Sequence, residues 1–331
     1  VSKIICVFIA AFAIALLIGA PYIALMKKIK ARQTILCYVE QHKDKQGIPT
    51  MGGVIFLVAA SVASLIFWSG EKKLAVVALV VTLVYGGIGA LDDGIKIVLR
   101  RNLGLRAYQK IISQAAVAAI MTYFAYKNPY IGTEIAVPFI SRTHDIGWWY
   151  IPLAFTAYIA ATNCVNLTDG LDGLAGTTVA LYLAAIFALI TVIYLEKESL
   201  GQTFYAQELY NLMIFAAALS GGVVGFLWYN SHKAKIFMGD TGSLALGGAC
   251  AVLPMMIKNP LAILFVGIMF AVSGISVIVQ VLVYKLKKKR VFLMAPFHHH
   301  LEMKGYNESK IVSYYGIITA VAGMASIIVF S

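Results

Sequence analysis

The sequence predicts an all-α polytopic membrane protein of about ten spanning helices, with both termini outside the cytoplasm. Three observations carry this. The 331 residues are 60% hydrophobic and only 13% charged, leaving too little polar surface for a soluble chain of this length. Apolar runs of about 20 residues recur from end to end, the length a helix needs to cross a bilayer. Lys and Arg gather in alternate loops.

The spans are expected near 4–25, 50–69, 74–92, 109–126, 149–165, 174–195, 209–229, 242–257, 260–284 and 310–330. The first is too long for a secretory leader and is followed by Lys27, Lys28, Lys30 and Arg32, a stop-transfer pattern. The ninth holds Gly274 and places Gln280 among apolar neighbours, which predicts a bend or break toward the cleft. In the longest outer loop, about 127–148, Ile135 to Ile140 alternate weakly and predict a small hairpin. No linker or soluble segment interrupts the pattern, so residues 1–331 read as one integral-membrane domain.

Orientation follows from the cations. Loops after odd-numbered spans hold 20 Lys and Arg and the opposite side holds seven, which puts the odd loops in the cytoplasm. The net charge of +12 therefore reads as topology and attraction to anionic lipid, and nucleic acid is not expected as a partner. Cys6, Cys37, Cys164 and Cys250 show no metal or redox spacing and read as packing residues.

The acidic residues at span ends lie on the same side as most cations. Asp92 and Asp93 close the third span, where two anions oppose the helix dipole and need a cation or metal. Their side chains point about 100° apart, so they cannot do identical jobs. A solvated boundary pair would give the same dipeptide.

Asn163, Asn166, Asp169 and Asp172 recur every third residue and would line one helical or near-helical face. Gly170 and Gly173 leave room for a ligand, and Asn and Asp offer the directional groups that sugars and bases require. Helix capping alone would need only one or two of them.

A third cluster, Phe237-Met238-Gly239-Asp240-Thr241-Gly242-Ser243, opens the eighth span with capping residue types and an anion-attracting helix start, near Lys233 and Lys235. It is not a Walker A loop. The fourth, Pro296 to Glu302, holds His298, His299 and His300; adjacent side chains do not converge easily on one ion, so hydrogen bonding to phosphate or sugar is expected rather than zinc.

With Lys45-Gln46-Gly47-Ile48-Pro49-Thr50-Met51-Gly52-Gly53, these clusters resemble the phospho-N-acetylmuramoyl-pentapeptide-transferase family of bacterial peptidoglycan synthesis across nearly the whole chain. Ile48 stands where that family usually has threonine. The resemblance implies ten transmembrane helices, outward termini, a cytoplasm-facing active-site cleft, a homodimer and residence in the bacterial cytoplasmic membrane. It implies Mg²⁺-dependent transfer of phospho-N-acetylmuramoyl-pentapeptide from UDP to undecaprenyl phosphate, giving a lipid-linked cell-wall precursor and UMP.

By the same resemblance Asp240 is the first metal ligand, Asp93 supports the ion or its waters, and Asp92 orients or deprotonates the lipid phosphate. Asn166, Asp169, Asp172, Asn230 and Phe237 would line the uridine-sugar pocket, with Asn163, Thr50 and Ser243 also substrate-binding candidates. Lys45, Lys96, Lys110 and Gln280 would surround the phosphates and sugar, and His299 or His300 rather than His298 would point inward. Two other readings remain: a sister enzyme moving N-acetylglucosamine phosphate to the same lipid, and a secondary transporter using the carboxylates as ion sites, although no internal repeat supports the latter.

Overall fold

The computed structural model describes residues 2–29, 31, 47–99, 103–140 and 143–330. The helices are α1 (Ser2–Lys28), α2 (Gly53–Phe67), α3 (Lys73–Val98), α4 (Ala107–Lys127), α5 (Tyr150–Thr168), α6 (Leu174–Ser199), α7 (Thr203–Asn230) and α8 (Gly239–Met256). They are followed by α9 (Ala262–Val266), α10 (Ile268–Lys287), α11 (Phe297–Met303) and α12 (Glu308–Phe330). Among the described residues six helices, α1, α3, α6, α7, α10 and α12, are long and apolar enough to cross a membrane.

The chain is therefore an all-α polytopic membrane protein. Large apolar side chains face outward along these helices, among them Ile5, Ile9 and Leu17 on α1 and Ile317, Val321 and Ile328 on α12. In water such a surface would aggregate; in lipid it is the expected exterior. Cys6 lies on this exposed surface rather than in packing.

α8 lies at the centre, buried at every position from Thr241 to Met256, and packs on α3, α5 and α2. A helix enclosed by protein has no need of continuous apolarity, and α8 begins with Gly, Asp, Thr, Gly and Ser. Glycines bring it close to its neighbours. A Cβ on Gly89 of α3 would collide with the carbonyl oxygen of Asp240, and one on Gly53 of α2 with the backbone of Gly242. Close backbone approach of this kind is how membrane helices gain packing contacts.

The expected ninth span is divided. It breaks at Gly267, between α9 and α10, and not at Gly274, which stays helical with Cys164 Sγ against it. The outer hairpin is present: β1 (Glu134–Ala136) pairs antiparallel with β2 (Thr143–Asp145), with Ile135 opposite His144. Lys258 ties it down through Glu134 Oε2 at 2.7 Å and by accepting the Ala136 N–H, also at 2.7 Å. That ion pair holds the Glu134 carboxyl below its ordinary range. Residues 49–53 ahead of α2 pair with Phe237 and Met238 at the start of α8, and the loop before α4 reaches the neighbouring end of α3 through Leu105 and Asp92.

Candidate active site

The carboxylates of Asp92, Asp93 and Asp240 each offer an oxygen, all within 4.8 Å of one another. Two helices supply them: α3 carries the pair near its C-terminal end, and α8 presents Asp240 in its first turn. Residues 92 and 93 are almost fully buried, at 3% and 2% exposure.

The two members of the pair do different work, as their angular separation predicts. Asp93 faces the start of α8: Oδ1 accepts the Asp240 N–H at 3.2 Å, and Oδ2 accepts the Thr241 N–H at 2.9 Å and the Thr241 hydroxyl at 2.7 Å. The first N–H groups of a helix have no partner within it, and a carboxylate there also complements the helix dipole. Asp93 is thus an interhelical cap that fixes Asp240 in place. Asp92 turns toward the loop before α4, where Oδ1 accepts the Leu105 N–H at 2.7 Å.

Lys96, one turn along α3, points its ammonium into the group. Nζ lies 2.6 Å from Asp92 Oδ2, 2.7 Å from Asp240 Oδ2 and 3.7 Å from Asp93 Oδ1. Lys110 of α4 reaches Asp240 Oδ2 at 3.2 Å. The other oxygen of Asp240 accepts from Asn166 Nδ2 at 2.7 Å, and the same amide group reaches Ser243 Oγ at 2.7 Å. Asn166, Lys96 and Lys110 therefore contact the carboxylates, and Ser243 joins them through Asn166. Asn163 does not: its amide turns to Gln114 Oε1 at 2.7 Å and to the Ile159 carbonyl.

The glycine-rich segment after α1 is a backbone brace. Gly52 N–H bonds the Phe237 carbonyl at 2.8 Å, Gly53 N–H the Met238 carbonyl at 3.0 Å, and Phe237 N–H the Pro49 carbonyl at 2.8 Å. Phe237 is held just ahead of Asp240. Thr50 is buried beside Gly239, whose positive φ of 74° suits glycine and whose missing Cβ leaves room for Thr50 and Asp93. Lys45 lies outside the described residues.

Between α5 and α6, Asp172 and Asn230 latch neighbouring loops. Asp172 Oδ2 accepts the Ala234 N–H at 3.1 Å; Asn230 accepts from Gly173 N–H at 3.2 Å and donates to the Ile236 carbonyl at 2.9 Å. Burial, then the negative charges of Asp240, Asp93 and Asp172, push Asp169 up to about 8.

The histidines are arranged differently from expectation. His298 is fully buried and its Nε2 lies where a Cβ on Gly170 would stand, with His299 Nε2 next nearest. Neither ring nitrogen of His298 has a partner among the described residues, and burial lowers it to about 3. His299 Nδ1 is 2.9 Å from the buried Glu302 Oε2, so a protonated Nδ1 would leave Nε2 as an acceptor toward Gly170. His300 instead points away: its Nδ1 accepts the Leu293 N–H at 3.1 Å and its ring packs by Phe292 and Phe297. Inward orientation thus belongs to His298 and His299, because α11 turns them onto the α5–α6 loop.

Gln280 also departs from its expected place. Its Oε1 accepts from the N–H groups of Val291 and Phe292, pinning that loop to α10. It lines a cavity of about 640 Å³ with Val277, Val281, Tyr284, Lys285 and Arg290. Gln114 is not among the expected site residues, and Thr241 and Glu302 are expected only as cluster members; the roles of Gln114 and Thr241 depend on which helices pair, whereas Glu302 orients His299 within α11.

Carboxylates and ammoniums gathered at one place in an apolar helical bundle define a membrane protein with a built polar site for charged ligands. The description "Glycosyl transferase family 4" matches residues 75–258, and "Phospho-N-acetylmuramoyl-pentapeptide-transferase signature 1" matches residues 45–57. A phospho-N-acetylmuramoyl-pentapeptide-transferase of Clostridium novyi (strain NT) is 44% identical over 317 residues, 95% of this chain and 92% of that relative. The enzyme of the same name from Thermoanaerobacter sp. (strain X514) is 42% identical over 322 residues, 97% of this chain and 96% of the relative. The chain belongs to the phospho-N-acetylmuramoyl-pentapeptide-transferase family.

Proposed function

We infer that this chain transfers phospho-N-acetylmuramoyl-pentapeptide from its UDP carrier to undecaprenyl phosphate, releasing UMP, at the Asp92–Asp93–Asp240 group. The observation that carries the site assignment is the convergence of these three carboxylates from two helices with Lys96 and Lys110. Both substrates are anionic, so their approach requires positive charge at the point of reaction.

The donor set fits Mg²⁺, which takes oxygen ligands. Asp240 and Asp92 are the residues placed to hold it, with Asp93 completing the carboxylate group and fixing Asp240 through its bonds to α8. A bound divalent ion would screen the phosphates and polarise the phosphorus under attack. Asn166 orients the Asp240 carboxylate, Lys110 adds positive charge beside it, and Asp92 is the group nearest to accept a proton from, or orient, the lipid phosphate.

Phe237, Asp169 and Asp172, with Asn230 bracing their loops, form the side proposed for the uridine and sugar. His298 and His299 close it from α11. The cavity beside α10, apolar except for Gln280, Tyr284, Lys285 and Arg290, suits part of a lipid chain.

We place the site at the cytoplasmic face of the bacterial cell membrane. The reading takes α9 and α10 as one broken span among about ten, with both termini outside and a homodimer as the assembly. Support comes from the lysines and arginines concentrated after odd-numbered spans. The test is UMP release by purified protein given both substrates and Mg²⁺. Preferential use of UDP-N-acetylglucosamine would reassign the sugar.

A further inference from the structure

Lys96 occupies an unusual position for a residue expected to meet substrate phosphates. Its ammonium sits inside the carboxylate group, within 2.7 Å of Asp92 and Asp240 and 3.7 Å from Asp93. Lys110, by contrast, touches Asp240 alone, at 3.2 Å. A six-coordinate divalent ion of the Mg²⁺ type binds carboxylate oxygen at about 2.0–2.1 Å. The oxygens it would use, Asp92 Oδ2 and Asp240 Oδ2, are those that Lys96 bridges. The alternatives on these two side chains are taken, Asp92 Oδ1 by the Leu105 N–H and Asp240 Oδ1 by Asn166.

We propose that Lys96 is a displaceable internal cation, whose ammonium bridges Asp92 and Asp240 until a divalent ion takes the same two oxygens and releases it. The inference rests on the metal reading of this site given above. Two consequences follow from the geometry. The repulsion between the carboxylates of Asp92 and Asp240 is offset in part when no metal is bound, which helps keep the start of α8 docked on α3. The metal must compete with a tethered ammonium, so its apparent affinity is reduced by the fraction of time the bridge is formed. Once displaced, the ammonium remains on its flexible stem beside the site, where it can pair with a phosphate oxygen.

The test uses the full chain in detergent with Mn²⁺ alone as the probe, read by electron paramagnetic resonance, in the wild type and in Lys96→Met, Lys110→Met and Asp240→Asn. A bridge formed nine-tenths of the time predicts roughly tenfold tighter Mn²⁺ binding in Lys96→Met. Lys110→Met removes the same charge without opening the bridge and is expected to tighten binding less. Equal or weaker binding in Lys96→Met than in the wild type, or an equal gain in both lysine variants, overturns the proposal. Should Asp240→Asn bind Mn²⁺ as well as the wild type, the metal reading fails and the proposal falls with it.

Wild-type protein supplies a second measurement that needs no variant to fold. Lys96 is acylated with an amine reagent with and without Mn²⁺, and modification is quantified on the peptide. Modification that rises severalfold with Mn²⁺ supports displacement. Modification that is unchanged or falls contradicts it, and Asp240→Asn is expected to abolish the rise.

Discussion

Asp93 and Thr241 are joined twice: one carboxylate oxygen of Asp93 accepts both the backbone N–H and the hydroxyl of Thr241, at 2.9 and 2.7 Å. This contact ties the end of one membrane helix to the beginning of another and sets the position of Asp240 between them. Asp93→Ala removes the acceptor and leaves buried N–H groups unsatisfied, a loss of about 1–3 kcal/mol. The expected result is a lower melting temperature together with weaker Mn²⁺ binding. Asp93→Asn keeps one carbonyl acceptor and should recover part of both. A variant that loses turnover while keeping wild-type stability and Mn²⁺ affinity would show that Asp93 acts on substrate instead.

Close packing of α3 on α8 makes a second prediction. Gly89→Ala drives a methyl group into the Asp240 carbonyl, whereas Gly87→Ala, two residues away, meets nothing within 4 Å. Overpacking of this kind costs about 1–3 kcal/mol. Thermal unfolding and UMP release should both suffer in Gly89→Ala and be nearly unchanged in Gly87→Ala. Equal behaviour of the two would mean that the α3–α8 approach does not control the site.

His298 gives a pH dependence with a defined sign. Burial lowers its folded value from 6.5 to about 3, so as pH falls below about 6.5 the unfolded chain takes up a proton that the folded chain does not. Stability attributable to this residue is present at neutral pH and declines by ~2 kcal/mol near pH 5. His298→Gln cannot titrate, and the difference between the two melting curves at about pH 7.5 and about pH 5 isolates the effect. Parallel losses would contradict it.

Glu302 should matter through the orientation it gives the His299 ring. Glu302→Gln retains a hydrogen-bonding side chain for the His299 ring, while Glu302→Ala frees the ring to rotate. Turnover is expected to fall more in Glu302→Ala than in Glu302→Gln, mainly through a higher KM for the UDP-linked substrate. An unchanged KM in both would remove His299 from recognition.

Much of this arrangement is legible in the sequence because lipid imposes it. The apolar runs that became α1, α3, α6, α7, α10 and α12 are long enough to announce themselves, and the cation bias of the intervening loops groups the acidic clusters on one side. Residue spacing also separates Asp92 from Asp93, and the hairpin after α4 follows from its alternating residues. Partnerships across helices are not written in a linear pattern. The capping of α8 by Asp93, the turn of Asn163 toward Gln114, and the burial of His298 against Gly170 each depend on which helices meet. The break at Gly267 is equally local, since Gly274 is as permissive in sequence yet is packed within a helix by Cys164.

Asp240 is the residue on which the functional account turns, and the most direct test is UMP release by the purified chain supplied with UDP-N-acetylmuramoyl-pentapeptide, undecaprenyl phosphate and Mg²⁺. Release that requires all three, yields the matching lipid product, stops with chelator and falls by at least about a hundredfold in folded Asp240→Asn is the predicted result. Full Mg²⁺-dependent turnover in folded Asp240→Asn would contradict the assignment of the site.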